Sequence, residues 1–325
     1  MKIFLRQIGR PAAAGVFTAL VYFSGLLLFL TPLPLFYLSW NAKKREWFFG
    51  FFFAFAAGFL FNFVILPENL SLSASEIFLN FCYYSYYLCM AFVLSLGVWN
   101  RWRLEKMGGV STFTISALAV IGALFIQRFG FADIQGLFQS FLAESSKMLD
   151  QMVASQPQEK QAEMLFLAAQ TKEWLALLPK LFPSIVFVAT LLTVILNIGI
   201  PRLLYRASKP MKWVGDFKRL QIPPVALWAL ITGGALYFLD AYYIHVAWLK
   251  IAAVNLAIAS ACVYFLQGLS IMAFFLKRYS LLFRFGIYGL LILFFQMVGL
   301  VVVGLGLADT WIDFRKLQKK GMEAK

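Results

Sequence analysis

The 325-residue sequence has one histidine, His245, and three cysteines, Cys82, Cys89 and Cys262. A lone imidazole cannot build a zinc site, and the three thiols lie inside apolar runs, where cysteine behaves as a small hydrophobe. A metal centre, a disulfide framework and a Cys/His catalytic pair are therefore not expected. Charge is also scarce, with 14% of residues charged against 62% apolar. With a mean hydropathy of +0.78, this excludes a water-soluble domain. No stretch alternates with period two, which argues against a membrane β-barrel. Acidic residues number 15 against 29 basic ones, for a formal charge of +14. The cations sit in short turns between apolar runs, not on a polar face interleaved with aromatics, so nucleic acid is not an expected partner.

What the sequence has in quantity is long apolar runs. Runs of about 20 residues suffice for an α-helix to cross a hydrocarbon core of roughly 30 Å. Spans are placed near 12–30, 47–66, 76–98, 110–127, 182–200, 224–245, 251–276 and 285–307. The expected fold is all-α, a polytopic transmembrane bundle with eight or nine spans. The first run follows a basic start but is too long for a signal peptide and lacks a small-residue cleavage site, so it reads as a retained span. TPLPLFYLSW, residues 31–40, is apolar but short and opened by Pro32 and Pro34. It suits a short or re-entrant helix, which needs protein or a cavity to cover its free backbone groups.

The positive charges test this layout. Lys2, Arg6 and Arg10, then Lys43, Lys44 and Arg45, then Arg101, Arg103 and Lys106, fall between spans. Arg202, Arg206, Lys209, Lys212, Lys218 and Arg219 fill one loop, and Lys277, Arg278 and Arg284 another. All five groups share the cytoplasmic side if TPLPLFYLSW returns the chain across the membrane. The opposite loop PENLSLSASE has no Lys or Arg. The tail Arg315, Lys316, Lys319 and Lys320 then lands outside by strict counting, unless one more short segment hides between 241 and 276. A cytoplasmic tail is the expectation.

Three regions follow: a membrane bundle over 1–129, an amphipathic helical insertion outside the membrane over 130–180, and a second bundle with a basic tail over 181–325. The insertion holds six of the fifteen acidic residues, Asp133, Glu144, Asp150, Glu159, Glu163 and Glu173, against four lysines. Ile134, Phe138, Leu142, Leu149 and their neighbours recur at helical spacing. The pattern breaks near Pro157 and resumes from Glu159 to Leu178, running into the next span. A hairpin on the bilayer surface or capping the bundle is one reading, and a partner-docking lid is the other.

Ionisable groups inside spans cost about 2.5–3.5 kcal/mol at the bilayer centre, so each is a functional candidate. Asp240, with His245 five residues on, stands near the outer end of its span. It reads as a headgroup-level residue among tyrosines or as a substrate or proton ligand. The amides Asn62, Asn197, Asn255, Gln267 and Gln296 must bond across helices or to a ligand. Asp240, Asn255 and Gln296 are the candidate ligand-binding set. Ala253, Ala257 and Ala261, like Ala54 and Gly58, form small-residue rows that allow close helix approach. Phosphate-binding glycine loops, a nucleophile elbow and paired carboxylates in a cleft are all absent from the sequence, so neither enzyme activity nor a cofactor is expected.

The last apolar run ends in LADTWIDFRK, residues 307–316. Asp309 and Asp313 are four apart on one helical face, where Arg315 and Lys316 can pair with them or bind lipid phosphates. Trp311 suits the interface. A membrane-exit lock, a docking surface for a cytoplasmic partner and a substrate site are the three readings.

The ending GLGLADTWIDFRK, with Gly306, Asp309, Trp311, Asp313, Phe314 and Arg315, resembles that of the YybS-like family of bacterial inner-membrane proteins, a family without an established function. The front, with LTPLPLFYLSW, a basic turn, and Gly50 and Gly58, is similar to that family too. The same front loosely resembles S components of energy-coupling-factor transporters. The resemblance implies a multi-pass protein of the bacterial inner membrane that binds or transports a small molecule. Its partners would be the lipid bilayer and, for energy, other membrane subunits or coupling ATPases, since the chain carries no nucleotide-binding motif. A non-transporting scaffold or assembly factor is the rival reading.

Overall fold

The structure, a computed structural model, describes residues 2–66, 73–155, 157–204 and 212–316. The PENLSL stretch, Arg206, Lys209, Lys319 and Lys320 lie outside the described residues, as do the side chains of Lys2, Arg6, Glu159 and Lys160. Regular structure among the described residues is helical throughout. It comprises α1 (Lys2–Phe23), α2 (Leu33–Asn41), α3 (Lys44–Leu60), α4 (Ala74–Trp99), α5 (Leu104–Arg128), α6 (Ile134–Ala154), α7 (Gln158–Leu204), α8 (Val225–Leu239), α9 (Ala247–Phe275), α10 (Leu281–Leu293) and α11 (Phe295–Ile312).

Among the described residues, seven helical stretches are long and apolar enough to cross a membrane: Lys44–Ile65, Ala74–Trp99, Leu104–Arg128, Gln161–Arg202, Val225–Ile244, Ala247–Arg278 and Phe295–Ile312. Eight or nine spans are thus not confirmed. The expected 12–30 run ends as a helix at Phe23, with a single short turn at Leu28–Leu30 beyond it. TPLPLFYLSW does form a short helix, α2. The expected span 285–307 is two helices, α10 and α11, separated at Phe294. α10, after the loop at Lys277 and Arg278, is a short apolar helix of 13 residues and is not among the seven.

The chain divides into two compact units, one of Met1–Leu38, Lys43–Ala91 and Thr114–Val186, the other of Ser39–Ala42, Phe92–Phe113 and Phe187–Lys325. In the first unit small residues let helices meet. A Cβ on Gly15 would collide with the carbonyl of Gly50, and one on Gly58 with the ring of Tyr84. Tyr84 is fully buried, stands 4.9 Å from Tyr22 between ring centroids, and donates to the Ala54 carbonyl at 2.8 Å. Beside it runs a chain of polar contacts: Tyr22 Oη to Asn80 Oδ1 at 2.7 Å, Asn80 Nδ2 to Asn62 Oδ1 at 2.8 Å, and Asn62 Nδ2 to the Gly58 carbonyl at 3.0 Å. Asn62 is thus interhelical glue, satisfied where hydrocarbon offers no partner.

The insertion is an antiparallel pair of helices. Asp150 bonds Lys172 at 2.7 Å and Phe138 meets Phe182 at 6.0 Å, so partners descend along α7 as residues ascend along α6. Val153 and Ala168 are buried in the same register. α6 ends at Ala154 and α7 begins at Gln158, directly after Pro157, as the pattern predicts. From Gln158 one helix of 47 residues runs through Pro179 and Pro183 to Leu204. At about 1.5 Å per residue it is roughly twice as long as the hydrocarbon core requires.

Substituting Gly58 by Val drives side-chain atoms into the Tyr84 ring and costs about 1–3 kcal/mol. Gly122→Ala, where a Cβ meets nothing within 4 Å, leaves stability unchanged or slightly raised. Thermal unfolding of both variants in detergent checks the contrast.

Candidate functional site

The site forms in the second unit, where α9, α11 and the segment before α8 meet. Gly299, Val302, Gly306 and Asp309 are the buried residues of α11, spaced three or four apart on one stripe. A Cβ on Gly306 would strike the Tyr264 carbonyl, and one on Gly268 the Val302 carbonyl. This close approach carries Asp309, one turn further along, into protein rather than into headgroups. A Cβ on Gly233 of α8 would stand 3.3 Å from the Ala253 carbonyl and 3.4 Å from the Ala257 nitrogen, so the predicted alanine row is a packing surface.

Asp309 is paired with Arg315 at 2.7 Å, and the two side chains are 1% and 0% exposed. The pair forms because α11 stops at Ile312 and Asp313 turns left-handed at φ 45°, with its N–H donating to the Asp309 carbonyl. The chain reverses, and Arg315 folds back beneath the helix end. Its guanidinium donates to Asp309 Oδ2, to Ser270 Oγ at 2.7 Å, and to the carbonyls of Lys218 and Leu220 at 3.0 and 2.8 Å. Asp309 Oδ1 accepts the Phe314 N–H at 3.0 Å, and Oδ2 also accepts Gln267 Nε2 at 3.1 Å. Gln267 Oε1 takes the Ile222 N–H at 3.2 Å, and Ser270 Oγ donates to the Phe217 carbonyl at 2.7 Å. Both carboxylate oxygens and both terminal guanidinium nitrogens are thereby hydrogen-bonded, which offsets much of the cost of burial, while Arg315 Nε makes no hydrogen bond among the described residues.

This network fixes the segment 217–222 and seats the C-terminal turn against it. Arg315 therefore lies on the same side as Lys218. It also corrects the exit-lock geometry. Asp313 caps the helix in a left-handed turn instead of sharing a helical face with Asp309, and Trp311 points outward, exposed.

Against the network lies a cleft of about 280 Å³. Its polar lining is Arg103, Glu105, Gln221, Gln267, Asp309 and Thr310, and Ile222, Pro223 and Pro224 complete it. Arg103 and Glu105 are held by the turn between α4 and α5. Arg101 takes φ 51°, the Trp102 N–H bonds the Gly97 carbonyl and the Arg101 N–H bonds the Val98 carbonyl, a left-handed helix stop of Schellman type. Lys106 lies over the Trp102 ring at 5.1 Å, steadying the turn. Pro223 and Pro224 pre-set the entry to α8. At one end the Thr310 and Tyr264 hydroxyls lie beside each other without a hydrogen bond of ordinary geometry.

None of the predicted ligand set lines this cleft. Asn255 is buried and its amide donates to the Ile251 carbonyl of its own helix at 2.8 Å. Gln296 is exposed near the start of α11. Asp240 is buried at a widened turn, Asp240–Ile244, that ends in His245 at φ 53°. Its Oδ1 makes no hydrogen bond among the described residues. Reading the sequence assigned Arg103 to topology, left Gln267 open between a bond across helices and a ligand contact, and overlooked Glu105, Gln221, Ser270 and Thr310. The legible signal was the stripe Gly299, Val302, Gly306, Asp309, which puts an aspartate on the face that packs.

Replacing Arg315 by Gln leaves Asp309 buried without its counter-charge and costs about 3–5 kcal/mol. Asp313→Gly, at a backbone angle that favours glycine, changes stability by less than about 1 kcal/mol. Unfolding midpoints in one detergent compare the two.

No curated protein and no solved structure matches the chain. A family model described as predicted membrane protein (DUF2232) matches residues 13–310. A multi-pass helical architecture and a match over nearly the whole chain agree: the chain belongs to the DUF2232 family of membrane proteins.

Proposed function

We propose that the chain is a small-molecule-binding membrane protein of transporter type, with its ligand site in the cleft beside the Asp309–Arg315 pair. The observation that carries this reading is the cleft itself, about 280 Å³ with six polar side chains over a buried, hydrogen-bonded floor. Pockets for drug-sized ligands run to roughly 300–1,000 Å³, so the ligand is smaller than those. Gln267 and Asp309 are held by neighbours before any ligand arrives, and a preorganised floor lowers the cost of binding. The turns that form the cleft carry Arg103, Lys218 and Arg219, so by the positive-inside rule it belongs to the cytoplasmic side of a bacterial inner membrane. Energy for movement would come from partner subunits such as coupling ATPases. The S-component likeness of the front belongs to this proposal and is not needed for the site.

The rival reading, a scaffold or assembly factor, is favoured by one feature. The α6–α7 hairpin leaves Phe141, Met148, Met152, Phe166 and Trp174 exposed. Such a surface suits a protein partner or lipid.

Gln221→Trp fills the cleft without touching the ion pair. Native mass spectrometry of protein extracted gently from its own membranes should find a small ligand on the parent chain, and lose it in this variant. Asp240→Asn, away from the cleft, should keep it. The same ligand retained at equal occupancy by the Trp variant refutes the cleft as its site.

A further inference from the structure

Two side chains of the cleft carry full charges that the protein leaves unmatched. Arg103 and Glu105 both line it, yet they are not paired with each other, and among the described residues neither side chain makes a hydrogen bond or an ion pair. The third charged group in the wall, Asp309, is already neutralised by Arg315. The cleft thus offers one available cation and one available anion, two residues apart in sequence. They flank a floor whose own charge is cancelled.

We infer that the ligand is a small zwitterion, with its anionic group on Arg103 and its ammonium on Glu105. This deepens the binding reading above and rests on it. A guanidinium presents a fork of donors suited to a carboxylate or phosphate, and a carboxylate accepts from an ammonium. Arg103 is exposed and Glu105 half-buried, so a ligand carrying both charges gains a charge-assisted contact at each, where a singly charged one gains it at one only. Gln221, also in the lining, supplies a neutral hydrogen-bonding group. The volume suits a compact molecule, and two sources share the chemistry: a free amino acid, or the headgroup of a zwitterionic phospholipid.

The full chain is tested with β-alanine, acetate and ethylamine in detergent, and in bilayer discs of phosphatidylethanolamine against phosphatidylglycerol. Arg103→Gln and Glu105→Gln are the variants, both outside the ion-pair network. The inference predicts that β-alanine raises the unfolding midpoint by a few degrees while acetate and ethylamine do not, and that each variant abolishes the rise. A rise confined to phosphatidylethanolamine discs, again lost in both variants, supports the same chemistry with the headgroup as source. Acetate or ethylamine matching β-alanine, or a rise that survives either variant, overturns the zwitterion class. In that case the cleft still stands or falls separately on ligand loss from Gln221→Trp. No rise with any probe or lipid also overturns the inference.

Discussion

A buried arginine and a buried aspartate cannot be left alone in a chain made mostly of hydrocarbon side chains. The desolvation of each costs several kcal/mol, and their mutual attraction offsets this only when most of the remaining donors and acceptors find partners. Much of the second unit's polar architecture meets that demand. Asp309 accepts from Arg315, Gln267 and the Phe314 N–H. Arg315 in turn reaches Ser270 and two carbonyls of the 217–222 segment. Segments far apart in sequence, Lys218 and Arg315 among them, are joined because the pair needs carbonyl oxygens and that segment supplies them.

The pair also shapes what the site can do. Asp309 and Gln267 form part of the cleft wall, so the groups that stabilise the fold are the ones a ligand would meet. With Asp309 neutralised, the free charges are Arg103 and Glu105, on a turn set by the left-handed Arg101. On the proposed binding reading, structure and recognition are divided between two layers. A fixed floor is held by buried charge, and an adaptable rim comes from side chains that make no bonds of their own.

How far the sequence foretold this differs from element to element. Long apolar runs predicted most spans because crossing a bilayer demands them, and the amphipathic pattern with Pro157 predicted the hairpin and its break. The division at Phe294 was not legible: neither Pro, Gly nor charge marks it, and an apolar residue there is compatible with a continuous helix. In the terminal motif the sequence reading allowed Arg315 to pair with the aspartates, as it does with Asp309, but helical spacing put Asp313 on the same face. Only the left-handed reversal at Asp313 reveals that Arg315, two residues beyond, folds back onto Asp309. The cleft was unreadable for a different reason. Arg103, Gln221, Gln267 and Thr310 come from four distant segments, and nothing in their local spacing says that they converge.

The account depends on energetic coupling between Asp309 and Arg315. A double-mutant cycle with Asp309→Asn, Arg315→Gln and the double variant, measured by unfolding in one detergent, reads that coupling directly. The predicted result is an interaction of at least about 1.5 kcal/mol, with the double variant more stable than the sum of the single losses implies. Additive losses, within about 0.5 kcal/mol, would contradict it.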